Sequence, residues 1–486
     1  MKKSESPRIS PIRIADNLYW VGVNSSSPAH LVTTSEGIVL IDTASNDTVD
    51  EFIENIESLG FDVRDVRHII HSHAHYDHTG ATPKIVSLSG AKTYIGRRDY
   101  DSVVGNNLRL WASRKRPENE KDFYFEPDVL LDDGDELTVG DVTFRFVATP
   151  GHTEGVMSIF WNVTYRGEEY LAGMFGGAGT EAMSDAHLQR DSLPVTLRED
   201  YVRSVDRIIN EPVTLHIGNH PGNNKHSEKA ENFRFGGRNP FICDNTWQSF
   251  LMKVRGEVVN RFDVFGKGKS HTVDAILDEK VIVILRGFSD EELVGTVAAL
   301  RAGGIHCCEV TYDSRGEIPD EKTADTIKML CEKFPDMHIG AGTVLTEKQV
   351  LLTAMAGGRF IVSPDTNPDV IAMTARLGLV SIPGALTPSE VTLANRSGAD
   401  FVKMFPIGEM GASYLKALAL PLSHVRLLAV GGVDHENVGE YLSAGACGIG
   451  IATAIANKAL IRQGKYDEVS RLASDFLAKI RTFDIK

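Results

Sequence analysis

The chain has 486 residues, 42% hydrophobic and 24% charged, a composition that excludes a disordered chain. Its length exceeds one ordinary core and suits two domains of roughly 200–260 residues each. A formal net charge of −15 argues against a basic nucleic-acid-binding face, so any phosphate must be held by local groups.

Residues 1–17 carry charges and prolines but no apolar segment, and no apolar run approaches 18 residues. Neither a signal peptide nor a membrane span is expected, and a cytoplasmic location follows. Up to about residue 240, short strands and turns dominate. Strands are expected over 18–23, 29–33 and 37–42, a helix over 48–59, and a strand over 66–71 that runs into a histidine-rich loop. Two strands flank a Gly-Asp turn within 137–149, and 156–161 with 169–172 read as a hairpin pair. Strands with helices outside them predict a layered α/β sandwich. Residues 244–262 have helical spacing, with Trp247, Phe250, Leu251, Val254 and Val258 on one stripe. The Gly- and Lys-rich stretch that follows is the expected linker, 263–270, between a domain at 1–262 and a domain at 271–486.

Beyond it the rhythm changes. Eight short apolar strands, at 281–285, 305–311, 338–343, 359–363, 379–383, 400–405, 425–430 and 446–450, alternate with amphipathic helices. Eight such units predict a (β/α)8 barrel. The five cysteines show no CxxC spacing, and adjacent Cys307 and Cys308 suit a buried strand, so reduced thiols are expected.

The segment His71-Ser-His73-Ala-His75-Tyr-Asp77-His78 places four histidines and an aspartate in eight residues. Neutral imidazole and carboxylate are the usual ligands of a hydrolytic zinc site. On such a loop two histidines at i and i+2 face one ion, and Asp77 with His78 face a second about 3.5–4 Å away. His152, in Thr149-Pro-Gly-His-Thr, and His220, in Gly218-Asn-His-Pro-Gly, stand at loop positions. A lone histidine is most often a surface or satisfied core residue, which suits His68, His187, His216 and His226. The cluster does not fit that description, because its packed ligand-type side chains would go unsatisfied without a metal.

These residues resemble the metallo-β-lactamase superfamily, with its HxHxDH loop, over roughly residues 14–225. Supporting stretches are Asn17-Leu-Tyr-Trp-Val, Leu40-Ile-Asp-Thr and Asp122-Phe-Tyr-Phe. The similarity is closest to the third lactamase subclass. It implies an αββα sandwich with two zinc ions, one on His73, His75 and His152 and one on Asp77, His78 and His220. Asp77 would also orient a water that attacks a carbonyl, and Asp42 is either a supporting residue or a structural aspartate at a strand end. Where glyoxalase- and nuclease-type branches place a metal-bridging aspartate, this chain has Gly173-Met-Phe-Gly, and the thiolate ligand of the first lactamase subclass is missing from this region. The nuclease and thioesterase branches lose ground accordingly.

In the second half, polar and glycine residues collect at the C-terminal ends of the strands: Arg286, Glu309 with Thr311, Thr343, Ser363-Pro364, Pro383-Gly384, Lys403, Gly431-Gly432 and Gly450. Barrel chemistry sits at that rim. Lys403 lies inside the apolar run Phe401-Val-Lys-Met-Phe, where burial lowers an amine's pKa and makes it a nucleophile able to form a Schiff base. With Glu309 at the same mouth it makes a nucleophile and acid/base pair.

The motifs Glu309-Val-Thr, Gly340-Ala-Gly-Thr-Val, Val362-Ser-Pro, Ile382-Pro-Gly, Phe401-Val-Lys-Met-Phe-Pro and Val430-Gly-Gly-Val resemble the 2-keto-3-deoxy-6-phosphogluconate and 4-hydroxy-2-oxoglutarate aldolases, over about 275–480. The resemblance implies retro-aldol cleavage of a 2-keto-3-deoxy sugar acid to pyruvate and an aldehyde. Lys403 would carry the Schiff base and Glu309 would shuttle protons. Thr343 and Pro364 would line the pyruvate pocket, and Arg286, Gly384, Gly431 and Gly432 would bind substrate. It implies no cofactor in this domain and a homotrimer built on the barrel. Three positions depart from the gluconate-type pattern: Asp313 in place of an arginine, Val430 in place of a threonine, and Ala452 in place of a phosphate-binding serine. Arg315 or Arg286 is then the available cation. Arg286 and Ala429-Val-Gly-Gly-Val resemble the phosphogalactonate branch. The combined expectation is a bifunctional enzyme of sugar-acid catabolism whose zinc domain hydrolyses a lactone or related cyclic ester or amide, with small-molecule partners and neither nucleic acid nor membrane. The alternatives are a true β-lactamase at the N-terminus and a catalytically inactive sugar-phosphate-binding module at the C-terminus.

Overall fold

The computed structural model describes residues 7–111, 117–233 and 235–483. The chain divides into two compact units, Met1–Val258 and Val259–Lys486, and the division falls inside the helix Thr246–Phe262.

The first unit holds two sheets. One has seven strands in sequence order, Ile12–Arg13, Leu18–Trp20, His30–Thr34, Gly37–Ile41, Val66–Ile70, Lys92–Gly96 and Val129–Leu131. The other has five, ordered Leu215–Gly218, Glu168–Phe175, Met157–Tyr165, Val142–Ala148 and Glu136–Val139. Strand alternation sends Val32, Val39, Ile41 and Ile70 inward, against Phe144, Phe146, Ile159, Trp161 and Met174 of the facing sheet. Their neighbours Leu31, Leu40 and Ile69 point outward and are covered by Phe52 and Ile56 of helix Val49–Ser58 and Ile85 of helix Thr82–Ser89. The outer face of the second sheet is covered in the same way. Phe160 meets Trp247 at 5.7 Å, Phe175 meets Tyr201 at 5.5 Å, and the Trp247 indole donates to the Ile208 carbonyl. Both faces of both sheets are therefore apolar, which is the αββα sandwich.

The hairpin expected at 156–161 and 169–172 is longer than its sequence signal. Met157–Tyr165 and Glu168–Phe175 pair through to Tyr165 opposite Glu168, and Arg166 and Gly167 turn with φ of 57° and 83°. Two positive φ values match the twist of the flanking strands. The expected 18–23 strand shortens to Leu18–Trp20, while Lys92–Gly96, Val129–Leu131 and Leu215–Gly218 gave no strand signal strong enough to read.

The second unit is a (β/α)8 barrel. Val281–Leu285 pairs in parallel with Cys307–Thr311 on one side and Gly448–Ile451 on the other, so first and last strands are neighbours. Nine segments appear because Pro383 splits the fifth strand. Val380–Ile382 pairs with Phe360–Val362, whereas Gly384–Ala385 pairs with Val402–Met404. Inward positions Ile282, Cys307, Phe360, Val380, Phe401 and Leu428 pack with Ile276 of helix Lys269–Glu279. Glu309 and Lys403 are two residues further along the inward faces that begin with Cys307 and Phe401, so the strand period points both into the barrel. No helix among the described residues is long and apolar enough to cross a membrane.

Candidate functional site

In the first unit, the loop after Val66–Ile70 carries His73 and His75, and the short helix Tyr76–Thr79 presents Asp77 and His78 in its single turn. His152 comes from the loop between Val142–Ala148 and Met157–Tyr165, and His220 from the loop after Leu215–Gly218. The ligand-type atoms of His73, His75 and His152 lie within 4.8 Å of one another, as do those of Asp77, His78 and His220. His73 Nε2 is 3.1 Å from His75 Nδ1, and His78 Nε2 is 3.2 Å from His220 Nε2. Asp77 Oδ2 stands 3.7 Å from His78 Nε2 and 3.6 Å from His220 Nε2.

The opposite nitrogens fix the rings. His78 Nδ1 is 2.7 Å from Asp42 Oδ2, His152 Nδ1 is 2.6 Å from the Gly179 carbonyl, and His220 Nδ1 is 2.8 Å from the Ser25 carbonyl. A neutral imidazole that donates from Nδ1 presents a bare lone pair at Nε2. In that tautomer Nε2 of His78 and Nε2 of His220, 3.2 Å apart, would both face one shared cation. This donor set fits zinc, with Asp42 and two carbonyls as the outer partners that set tautomer and orientation. Burial, reinforced by neighbouring His78, holds the His73 imidazole well below its ordinary range. Burial with His152 does the same for His75, and burial alone dominates in bringing His152 to about 4. Neutral rings are the form that binds metal. Burial also works to raise Asp42, but the adjacent His78 ring and the Ser72 amide bring it below the usual carboxylate range. Asp42 itself sits at φ 60°, a left-handed conformation that a non-glycine residue holds only where its surroundings demand it.

A cavity of about 310 Å³ opens over both trios. It is lined by Ser26, Leu110 and Trp111 and by Glu181, Ala182 and His187. Trp111 stacks on Tyr76 at 5.0 Å. His187 was expected to be an ordinary surface or core histidine, but the structure sets it on this wall, 2.7 Å from Ser184 Oγ. Of the other single histidines, His68 meets the Tyr94 hydroxyl, and His216 and His226 pack against Phe250 and Trp20. His71 belongs to neither trio. It is buried, with Nε2 at 3.2 Å from Thr82 Oγ1. Asp99 carries no motif in the sequence; it is a buried carboxylate that bonds residues of both loops of the first trio.

In the second unit, Glu309 and Lys403 are both buried in the barrel interior. Burial pushes the Glu309 carboxyl up to about 7, although Lys403 and Arg286 pull it down. Burial also lowers the Lys403 amine, against the pull of Glu309. The ammonium lies 4.6 Å over the Phe405 ring. Arg286 donates to Thr343 Oγ1 at 3.1 Å, and Thr343 holds φ 57°, strained for a β-branched residue.

Glycines clear the floor of this site. A Cβ on Gly342 would lie 2.3 Å from Glu309 Oε1, and one on Gly384, which pairs in register with Lys403, would lie 2.3 Å from the Pro364 carbonyl. Gly431 and Gly432 hold φ of 88° and 81° beside Phe405 and Gly408. Asp313, at the position of the gluconate-type arginine, accepts the amides of Arg315, Glu317 and Ile318, and so closes its own loop. The Arg315 side chain is 76% exposed, which leaves Arg286 as the cation that acts on Glu309 and Lys403.

Comparison with known proteins matches each unit separately. The profile of the family described as KDPG and KHG aldolase covers residues 273–472, and that of the metallo-beta-lactamase superfamily covers residues 23–164. The 2-dehydro-3-deoxy-6-phosphogalactonate aldolase of Escherichia coli K12 is 32% identical over 42% of this chain and 94% of its own length. The 2-dehydro-3-deoxy-phosphogluconate aldolase of Haemophilus influenzae is 29% identical over 44% of this chain and 100% of its own. The crystal structure of a subclass B3 metallo-beta-lactamase of Bradyrhizobium japonicum covers 54% of this chain and 97% of that one, at 26% identity and a TM-score of 0.49.

Proposed function

Because the chain belongs to the KDPG and KHG aldolase family and carries a metallo-beta-lactamase superfamily domain, we propose that it is a bifunctional enzyme of sugar-acid breakdown. Its barrel cleaves a 2-keto-3-deoxy sugar acid to pyruvate and an aldehyde, and its zinc domain hydrolyses a lactone. The observation that carries the aldolase assignment is the shared burial of Lys403 and Glu309, one amine lowered and one carboxyl raised, on inward faces of the same barrel.

The Lys403 amine adds to the substrate's 2-keto carbon, and water leaves to form the iminium. Glu309 takes the proton of the C4 hydroxyl, the C3–C4 bond breaks, and its electron pair passes into the iminium to give an enamine and an aldehyde. Glu309 returns that proton to C3, and hydrolysis frees pyruvate and Lys403. A carboxyl near 7 serves both directions of this transfer. Arg286 would hold the acid end, with Thr343 and Pro364 around the pyruvate methyl. The Gly431 and Gly432 backbone would receive a terminal phosphate, with glyceraldehyde 3-phosphate as the aldehyde when the substrate is phosphorylated. The intact Lys403 and Glu309 pair favours turnover over a binding-only module.

Gly342→Ala is the sharpest local probe of this arrangement. Its Cβ would displace the Glu309 carboxyl while leaving Lys403 untouched. Cleavage is expected to slow by about 10–100-fold, the cost of misplacing a reacting group by an ångström. Borohydride trapping of pyruvate should persist.

In the zinc domain, one ion would sit on His73, His75 and His152 and one on Asp77, His78 and His220. When bound, they supply Lewis-acid polarisation and a nucleophilic water. Asp77 would bind metal and orient the attacking water by accepting its hydrogen, while Asp42 holds the His78 ring in place. The lactone assignment draws on the cavity wall, where Ser26, Glu181 and His187 offer hydroxyl partners and Trp111 offers an apolar face. It also draws on the barrel, since an aldolase of sugar acids needs an acid that lactone opening supplies. The test is a panel of aldonolactones and β-lactams assayed on the zinc-loaded full chain. Lactone turnover above lactam turnover is expected. Efficient lactam turnover without lactone activity reverses the assignment in favour of a β-lactamase.

A further inference from the structure

The first histidine trio is assembled from two loops far apart in sequence, and one carboxylate stands between them. Asp99 ends the turn Arg97–Asp99 that follows strand Lys92–Gly96. Its Oδ2 accepts the Ala74 amide at 2.8 Å and the Thr153 hydroxyl at 2.8 Å, and its Oδ1 accepts the Gly155 amide at 3.0 Å. Ala74 is the residue between His73 and His75, and Thr153 is the residue after His152. Asp99 is 3% exposed, so these bonds are made without competition from solvent. The backbone is cleared for them. A Cβ on Gly155 would lie 2.5 Å from the Asp99 amide nitrogen and 2.6 Å from its carboxyl carbon, and a Cβ on Gly96 would lie 2.0 Å from the Gly155 carbonyl.

From this geometry we infer that Asp99 is the positioning residue of the first metal site: its carboxylate sets the distance between the His73–His75 pair and His152, and with it the affinity of that site alone. The inference rests on reading the two trios as metal sites. Asp99 bonds to the residues beside the ligands and to none of the ligands themselves, so it acts through backbone placement. Asp42 bonds His78 of the second trio directly and reaches the first trio only through Ser72, whose hydroxyl stands 3.1 Å from His73 Nδ1. Burial lifts the Asp99 carboxyl to about 6, and its three donors hold it down, so the acceptor form prevails at neutral pH. Only a carboxylate satisfies donors on both of its oxygens. The amide of an asparagine would turn its own N–H groups toward either Ala74 and Thr153 or Gly155, setting donor against donor.

The experiment titrates the metal-free full chain with Co(II), following visible absorption and bound metal after dialysis. His73→Ala and His78→Ala assign the bands of the first and second sites. Asp99→Asn is expected to weaken the first site by about 10–100-fold, the scale found for outer partners of metal ligands, with the second site unmoved. Thr153→Val removes one of the three bonds without touching the carboxylate. It should shift the first site in the same direction by about 3–10-fold, the range of one hydrogen bond, and it decides the matter where Asp99→Asn fails to fold. Equal weakening of both sites, or unchanged affinity in both variants, overturns the assignment. A wild-type chain that takes up no cobalt overturns the reading of the trios, and the role of Asp99 with it.

Discussion

Lys403→Met is expected to remove the borohydride-trappable adduct with pyruvate and to lower cleavage by roughly 10⁴–10⁶-fold, the range seen when a covalent nucleophile is deleted. Methionine is chosen because Lys403 is only 7% exposed and its stem lies among apolar strand residues, so an unbranched apolar side chain fills the same space. Folding should not suffer. A lysine whose folded-state pKa is depressed weakens the fold wherever solvent would keep it protonated, so removing it at neutral pH leaves stability equal or higher. A melting temperature that holds while activity disappears separates lost chemistry from lost structure. Glu309→Gln tests the other half of the pair. The adduct should still form, but cleavage should slow by about 10²–10⁴-fold, as for removal of a general acid–base. The wild-type kcat/KM should rise with pH through about 7, where burial has placed the Glu309 carboxyl, and the glutamine variant should lack that limb. Trapping on a lysine other than 403, found by mass spectrometry of the reduced adduct, would sink the assignment.

How much of this was legible depends on how far apart the cooperating residues lie in the chain. Both cores were readable from alternation and from the change of rhythm near residue 264, because strand and helix periods are local properties. The inward direction of Glu309 and Lys403 follows from counting by two from Cys307 and Phe401. The HxHxDH loop announced itself because four of the six proposed ligands fall within residues 73–78. His152 and His220 were placed by their Gly-containing loops and by family resemblance. Asp99 could not be read in this way, since its partners lie 25, 54 and 56 residues away and no motif surrounds it. His187 reaches the cavity wall only through the tertiary fold. The strands Lys92–Gly96, Val129–Leu131 and Leu215–Gly218 were missed because each takes its place from sheet neighbours rather than from its own pattern. Pro383 explains why eight strands in the sequence become nine segments in the fold: it carries no N–H for a ladder, and the strand changes partner there.

The double variant His73→Ala/His75→Ala should lose the metal of the first site and all hydrolytic activity, while the same protein still forms the pyruvate adduct at Lys403. Elemental analysis of the zinc-replete wild type is expected to give two metals per chain and the variant one. His73 Nε2 and His75 Nδ1 face each other at 3.1 Å, and His152 completes their trio, so removing two of three ligands leaves one imidazole and no chelate. The second site keeps Asp77, His78 and His220 and the Asp42 support, which is why one metal should remain. His71→Ala is the control from the same segment. Its ring is equally buried and bonds Thr82, but it stands outside both trios, so the variant is expected to melt earlier yet hold both metals. Wild-type protein with fewer than one metal per chain after zinc-replete expression would remove the basis for a hydrolytic site. Loss of metal in His71→Ala equal to that in the double variant would mean that the segment responds to disruption in general rather than to the loss of ligands.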